Sequence, residues 1–184
     1  MSCYCQSHDV AVQPDDYCLP DGEPLVIFGS RSYQHEPGTV SERGDRIVAE
    51  LASRNLAEPG FIVSGGADGA DAVAEAVAIK LGVPMVVFAV NSASDATCRR
   101  RDWATEPWTI VAPTSYSGPS HDPRSGRGAY LTRNCLMAAV VAQRDGAAFA
   151  IYDGESQGTA HMLDSCESHG VTTIEQYRYD RDDN

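Results

Sequence analysis

The chain has 184 residues, of which 26 are acidic and 14 are basic, so its formal net charge is −12. This length suits one domain with a buried core, and a hydrophobic content of 42% excludes a disordered chain. No apolar run approaches the roughly 20 residues that span a bilayer. Residues 1–10 lack the basic and apolar segments of a secretory signal. We therefore expect a cytoplasmic protein without a membrane partner.

The charge pattern is acidic, with Lys80 as the single lysine. A broad nucleic-acid surface needs basic side chains, so this composition argues against DNA or RNA as the partner. A single local site for one phosphate group is still compatible with this acidic composition. The same composition is typical of halophilic proteins, in which salt screens surface repulsion, and also of ordinary acidic proteins.

Apolar β-rich runs and segments with helical spacing alternate along the chain. The predicted strands are residues 25–28, 61–63, 84–88, 109–112, 147–151 and 171–174, and the predicted helices are residues 39–58, 70–81, 129–143 and 159–169. Thr39 and Glu42 form a capping box, Thr159 is a predicted cap, and Gly82 and Gly170 end helices. Because the strands are apolar throughout and joined by helices, this order predicts a single α/β domain, a parallel sheet with helices on both faces.

The domain is predicted to span residues 24–176, with a long insert at about residues 98–123. Residues 1–23 are predicted to be an N-terminal extension, and residues 177–184 a solvated acidic tail. Within the insert, the three arginines at 99–101 form a basic island. This island is typical of a solvated charge cluster, and alternatively of a phosphate contact or a subunit contact in a homo-oligomer.

The N-terminal extension contains four candidate metal ligands. Cys3, Cys5, His8 and Cys18 are soft ligands of the kind that hold zinc, but their spacing is not a known finger pattern. We favour an extension with incidental cysteines and keep zinc as the alternative. No metal site is therefore assigned.

Three glycine-bearing segments follow predicted strands, at residues 29–31, 64–66 and 158–159. Open parallel sheets bind ligands beyond the carboxyl ends of their strands. Glycines let a phosphate approach the backbone, and a helix N-terminus attracts it. Each segment alone is also explained by a tight turn, and the second matches neither a Walker A loop nor a dinucleotide fingerprint. Together they predict one phosphate site.

Several ordered motifs carry a resemblance to a known family. They are IFGSR at residues 27–31, IVSGGADGAD at 62–71, DGESQGTAHM at 153–162, and the isolated residues Gly126, Arg127, Arg133, Asn134 and Met137. This pattern resembles the SLOG superfamily (the Smf/DprA–LOG group of Rossmann-like proteins), in particular its YspA-like, cpYpsA-related branch. The resemblance implies a Rossmann-like domain that binds a nucleotide or a nucleotide-derived ligand.

The motifs and the glycine segments together give the candidate site. The expected ligand-binding residues are Gly29, Ser30, Arg31, Ser64, Gly65, Gly66, Ala67, Gly69, Asp71, Arg133, Asn134, Asp153, Gly158 and Thr159. Guanidinium forks suit phosphate, so Arg133 is expected to hold one, although a surface salt bridge is the alternative. Asp71 either binds ligand hydroxyls or only complements a helix dipole. Arg133 and His161 are the candidate catalytic residues at this edge.

The LOG enzymes that the chain resembles hydrolyse the N-glycosidic bond of nucleoside monophosphates. Their motif has a glutamate where this chain has His161, and a histidine stabilises the developing positive charge poorly. His161 could act as a general acid, or be a packing residue. We predict a nucleotide-binding domain that acts as a sensor or a processing enzyme. A LOG-like phosphoribohydrolase and a DprA-like single-stranded DNA binder are the alternatives.

Overall fold

The computed structural model of the protein describes residues 19–90, 109–114 and 125–180. Strands and helices alternate in this part of the chain, and a short 3-10 helix (Arg31–His35) follows the first strand. The strands are β1 (Pro24–Gly29), β2 (Phe61–Ser64), β3 (Met85–Val90), β4 (Thr109–Thr114), β5 (Ala147–Tyr152) and β6 (Thr173–Arg178). The helices are α1 (Val40–Ser53), α2 (Ala70–Leu81), α3 (Ser125–Gln143) and α4 (Gln157–His169).

All paired strands are parallel, in the order β4-β3-β2-β1-β5-β6. The chain winds outward from β1 to β4 and then crosses over to β5, on the other side of β1. One apolar cluster packs α1 and α2 against the sheet, and a second packs α3 and α4 against its opposite face. The predicted α/β fold, a Rossmann-like parallel sheet with helices on both faces, is therefore confirmed. The order in which the chain adds strands reverses between β1 and β5, and parallel sheets bind ligands at such a switch point.

Helix ends follow the local signals in the sequence. Thr39 and Glu42 form the reciprocal capping box of α1, as predicted. Gly82 and Gly170 end α2 and α4 in the left-handed conformation, with φ of 66° and 83°. The start of α4 differs, because the capping side chain belongs to Ser156 and the predicted cap Thr159 lies within the first turn.

Two further elements differ from the sequence predictions. β6 continues to Arg178, beyond the predicted domain end at residue 176, and Tyr177 and Tyr179 pack on the core. β6 is an edge strand, so its polar and apolar residues alternate. The sequence therefore lacks the continuous apolar run by which a buried strand is predicted. The helical spacing of the apolar residues at 70–81 predicts an amphipathic helix, but α2 is buried all along the stretch from Ala70 to Ala78. Asp71 and Glu75 are buried with its apolar residues, since β1, β2 and α1 enclose it.

Several predictions fall outside the described residues. These are the zinc alternative at Cys3, Cys5, His8 and Cys18, the arginines at 99–101, most of the 98–123 insert and most of the N-terminal extension. Within the described ranges, no helix is long and apolar enough to cross a bilayer.

Candidate functional site

A cavity of about 490 Å³ opens at the carboxyl ends of β1 and β5, where the strand order reverses. We call it the switch-point cavity. Most of the predicted ligand-binding residues line it, namely Gly29, Ser30, Arg31, Ala67, Asp71, Arg133, Asn134, Asp153, Gly158 and Thr159. The structure therefore brings together, in one concave surface, motifs that are far apart in the sequence.

The cavity lining also differs from the prediction. The predicted site residues that do not line it are Ser64, Gly65, Gly66, Gly69 and His161. The lining residues that the sequence did not indicate as ligand-binding are Phe28, Ser32, Tyr130, Leu131, Met137, Glu155, Ser156 and Met162. A sequence signal for two of them exists. Tyr130 and Met137 lie on the same helical stripe as Arg133, at i, i+3, i+7 spacing, so the helical period would have indicated both.

Arg133 reaches from α3 to the loop after β2. Its Nη1 donates a hydrogen bond to the carbonyl oxygen of Gly65 at 2.9 Å, and its Nη2 reaches Oδ1 of Asn134 at 3.5 Å. Within the described part of the chain, its buried Nε has no hydrogen-bond partner and its guanidinium forms no ion pair. Burial lowers the pKa of Arg133 and the Asp71 carboxylate raises it. A charged guanidinium with spare donors can bind an anion.

Three glycines at the cavity edge allow close packing between protein segments. A Cβ on Gly65 would lie 2.5 Å from Cζ of Arg133, and a Cβ on Gly29 would collide with the carbonyl of Ile151. Gly69 has φ of 75°, and its Cβ would lie 2.5 Å from the carbonyl oxygen of Arg31, in the short 3-10 helix after β1. Their geometry gives these glycines a packing role, and the phosphate approach expected from the sequence stays a prediction.

Gly66 and Ser64 form a small turn outside the cavity lining. The Gly66 amide faces Oγ of Ser64 at 3.4 Å, and Gly66 adopts φ of 69°. This left-handed conformation requires glycine whether or not a ligand binds. The two residues therefore shape the loop that carries the carbonyl of Gly65.

The N-terminus of α4 borders the cavity. Oγ of Ser156 accepts a hydrogen bond from the Thr159 amide at 3.3 Å, whereas the amides of Gln157 and Gly158 find no acceptor among the described residues. A Cβ on Gly158 would meet no atom within 4 Å, so the space beside this turn is open. Open amides at a helix N-terminus attract anions.

His161 belongs to α4, and its ring reaches toward α3 without lining the cavity. Its Nδ1 lies 3.4 Å from Nδ2 of Asn134 and 3.4 Å from Oγ of Ser165. Burial lowers the pKa of His161, although Asp164 raises it, so the folded state favours the neutral ring. The candidate catalytic His161 therefore lies outside the cavity lining, with its ring in the interface between the two helices. It shares a sheet face with Arg133 and is joined to it through Asn134.

Asp153 connects the loops after β1 and β5. Its Oδ1 accepts hydrogen bonds from the Ser30 hydroxyl at 2.8 Å and from the Glu155 and Ser156 amides at 3.0 Å. Its Oδ2 accepts from the Ser32 hydroxyl at 2.6 Å. Burial raises the pKa of Asp153, but these hydrogen bonds outweigh it and lower the value to about 2. Asp153 thus holds the cavity walls together.

The segment after β6 contributes Tyr179 to the same network. Its hydroxyl lies 2.7 Å from Oγ of Ser32, and its ring packs edge-on against Tyr33 with centroids 4.9 Å apart. Tyr179 is only 8% exposed. The C-terminal part of the described chain therefore supports the wall formed by Arg31 and Ser32.

Both signs of charge occur in the cavity. The charged lining residues are Arg31, Arg133, Asp71, Asp153 and Glu155. Oδ2 of Asp71 accepts the Ala67 amide at 3.0 Å. No cluster of three or more histidine, cysteine or carboxylate side chains suited to a metal occurs in the described ranges. The lining can thus bind an anionic group and hydroxyl groups in different places.

Comparisons with known proteins give one similarity. No protein-family model matches the sequence, and no curated protein matches it. Among solved structures, the chain is similar to the X-ray structure of DNA processing protein A (DprA) from Streptococcus pneumoniae, with 16% sequence identity and a TM-score of 0.43. The similarity covers 83% of this chain and 58% of that one, so this chain spans little more than half of its length.

Proposed function

We propose that the switch-point cavity binds a nucleotide or a nucleotide-derived phosphate ligand, and that the chain is a SLOG-type domain. The observation that carries this proposal is the Arg133 guanidinium. It lines the cavity, has a buried Nε without a partner, and forms no ion pair within the described residues. A guanidinium with unused donors at the switch point of a parallel sheet suits a phosphate.

The N-terminus of α4 supplies the second half of the phosphate site in this proposal. The Gly158 amide and the helix dipole act together with Arg133, and the open space beside Gly158 accommodates the anion. Asp71 and Glu155 line the same cavity, and their carboxylates suit the hydroxyl groups of a ribose. Asp153, whose oxygens already accept four hydrogen bonds, holds the loops in place.

Binding by a sensor and turnover by an enzyme remain two forms of this proposal. The His161 ring does not line the cavity, so it is not positioned as the general acid of a LOG-like hydrolase. Glu155 is the exposed carboxylate in the lining. We therefore favour binding over N-glycosidic hydrolysis, and release of free base from nucleoside monophosphates is the assay that separates them.

The direct test is a binding screen by thermal shift with AMP, GMP, ADP, ADP-ribose and NAD, and with single-stranded oligonucleotides. A ligand that binds only the folded state raises the apparent melting temperature in a concentration-dependent way. We expect at least one small nucleotide to do so. If only the oligonucleotide binds, with an affinity that falls steeply with salt, the DNA-binding alternative is correct and this proposal is wrong.

A further inference from the structure

One aromatic side chain at the cavity is unusually exposed. Tyr130 is 41% exposed. Among the described residues, one other large hydrophobic side chain is exposed, that of Ile79 at 45%. Tyr130 lines the switch-point cavity, whereas Ile79 does not. Tyrosine combines an apolar ring with a polar tip and is enriched at binding interfaces, so its position at the rim of a polar cavity suits contact with a ligand.

Tyr130 belongs to a stripe that descends α3 into the cavity. Tyr130, Arg133 and Met137 line it at i, i+3, i+7 spacing. Tyr130 is 41% exposed, Arg133 is half-buried and Met137 is 1% exposed, so the stripe runs from the mouth to the floor. Three residues of helix separate Tyr130 from Arg133 by roughly 4.5 Å along the axis. The aromatic ring thus lies nearly one helical turn closer to the cavity mouth than the proposed phosphate contact.

Two guanidinium groups lie near this ring. The Cζ atoms of Arg133 and Arg31 are 5.2 Å and 5.8 Å from its centroid. These distances are near the upper limit for cation–π contacts, and much of the ring remains uncovered. The mouth of the cavity therefore offers an open aromatic surface beside the positive charge that a phosphate requires.

We propose that Tyr130 is the stacking platform for the planar heterocycle of the ligand, so that it distinguishes nucleotides from simple sugar phosphates. This inference rests on the proposed function, because it assumes that the phosphate binds at Arg133. An anchored phosphate at mid-depth directs the rest of the ligand toward the mouth. Stacking of a base on an aromatic side chain is sequence-tolerant and favourable.

A different role for Tyr130 would be to hold Arg31 and Arg133 in place through its ring. The two roles differ for a ligand without a base. If Tyr130 stacks on a heterocycle, its removal weakens AMP binding and leaves ribose 5-phosphate binding unchanged. If it only positions the arginines, its removal weakens both ligands equally.

The test is calorimetric titration of AMP and ribose 5-phosphate into the wild type, Tyr130→Ala, Tyr130→Phe and the control Ile79→Ala. We expect Tyr130→Ala to weaken AMP binding by about 5- to 150-fold, the range for one stacked base, without a change for ribose 5-phosphate. Tyr130→Phe and Ile79→Ala should bind both as the wild type does. Upfield ring-current shifts of the adenine protons on binding should occur with the wild type, Tyr130→Phe and Ile79→Ala, and not with Tyr130→Ala.

Several results would overturn the inference. Equal loss for both ligands in Tyr130→Ala assigns the ring to positioning. Unchanged AMP binding, or a wild type that binds AMP no more tightly than ribose 5-phosphate, removes Tyr130 from base recognition while the phosphate site stands. If the wild type binds neither these ligands nor any nucleotide of the screen, the proposed function itself fails.

Discussion

Nη1 of Arg133 donates a hydrogen bond to the carbonyl oxygen of Gly65 at 2.9 Å, and a Cβ on Gly65 would lie 2.5 Å from Cζ of the same arginine. The guanidinium therefore lies directly against a stretch of backbone that carries no side chain. Because the atoms in the way are the far end of a flexible side chain, the fold can accept a methyl group here, but Arg133 must move. This pair links a glycine of the sequence motif to the proposed phosphate contact.

This contact predicts that Gly65→Ala weakens nucleotide binding as Arg133→Ala does. The added methyl displaces the guanidinium from the cavity, whereas the melting temperature should change little. A double-mutant cycle by calorimetry checks this, since Gly65→Ala should have no further effect once Arg133 is alanine. Independent, additive losses would show that Gly65 acts on the ligand by another route.

Gly158→Ala should change stability and binding in opposite directions. Gly158 is in the first turn of α4, and its Cβ would meet no protein atom within 4 Å. Alanine favours a helix over glycine by about 0.5–1 kcal/mol, so urea denaturation should show a more stable protein. The methyl group would occupy the space proposed for the phosphate, so nucleotide affinity should fall.

Ser168→Ala is the matched control for Gly158→Ala, because it lies exposed near the opposite end of α4. It should leave nucleotide affinity unchanged. If Gly158→Ala binds nucleotide as tightly as the wild type, no anion lies beside the first turn of α4.

The fold and much of the cavity could be predicted from the sequence because their signals are local. The capping box of Thr39 and Glu42 and the helix-ending Gly82 are read from neighbouring residues alone. Strand ends in a parallel sheet share an edge, which brought Ser30 and Gly158 together without any knowledge of packing.

The remaining features depend on how the elements pack. The ring of His161 faces Asn134 and Ser165 between two helices, and no local pattern determines that orientation. The role of Gly65 follows from the path of a side chain 68 residues away in the sequence. The sequence predicts Tyr179 in a solvated tail, because its ring contact with Tyr33 is purely tertiary and leaves no local pattern.

Asp153 should make the free energy of unfolding depend on pH in the acidic range. Its hydrogen bonds hold its pKa at about 2 in the folded state, below the ordinary 3.8. The ionised form therefore stabilises the fold above pH 3.8, and this contribution is lost as the pH falls through about 2. Since Asp153 is partly exposed, we expect a contribution of about 1–2 kcal/mol.

The measurement for Asp153 is urea denaturation of the wild type and Asp153→Asn at about pH 5 and about pH 3. The variant should be less stable at the higher pH, and the difference should shrink at the lower pH. A difference that is the same at both pH values would mean that the charge of Asp153 does not stabilise the loops.

His161 should affect stability near neutral pH. Burial lowers its pKa below 6.5, so the fold favours the neutral ring. The neutral ring therefore contributes to the free energy of unfolding above pH 6.5. This contribution is lost as the pH falls through the lowered pKa that His161 has in the folded state. Relative to His161→Gln, the wild type should therefore lose unfolding free energy between about pH 7.5 and pH 5.5, as measured by urea denaturation. A parallel pH dependence of the two proteins would contradict this.

Calorimetric titration of nucleotide into the wild type, Arg133→Ala and Arg133→Lys tests the central claim most directly. A hydrogen bond to a charged group contributes about 1.5–3 kcal/mol, so Arg133→Ala should weaken binding by that amount, with the lysine variant in between because it keeps the charge without the fork. The folded state should persist, because the described residues give this guanidinium no ion pair to lose. Wild-type affinity in a folded Arg133→Ala protein would contradict the account.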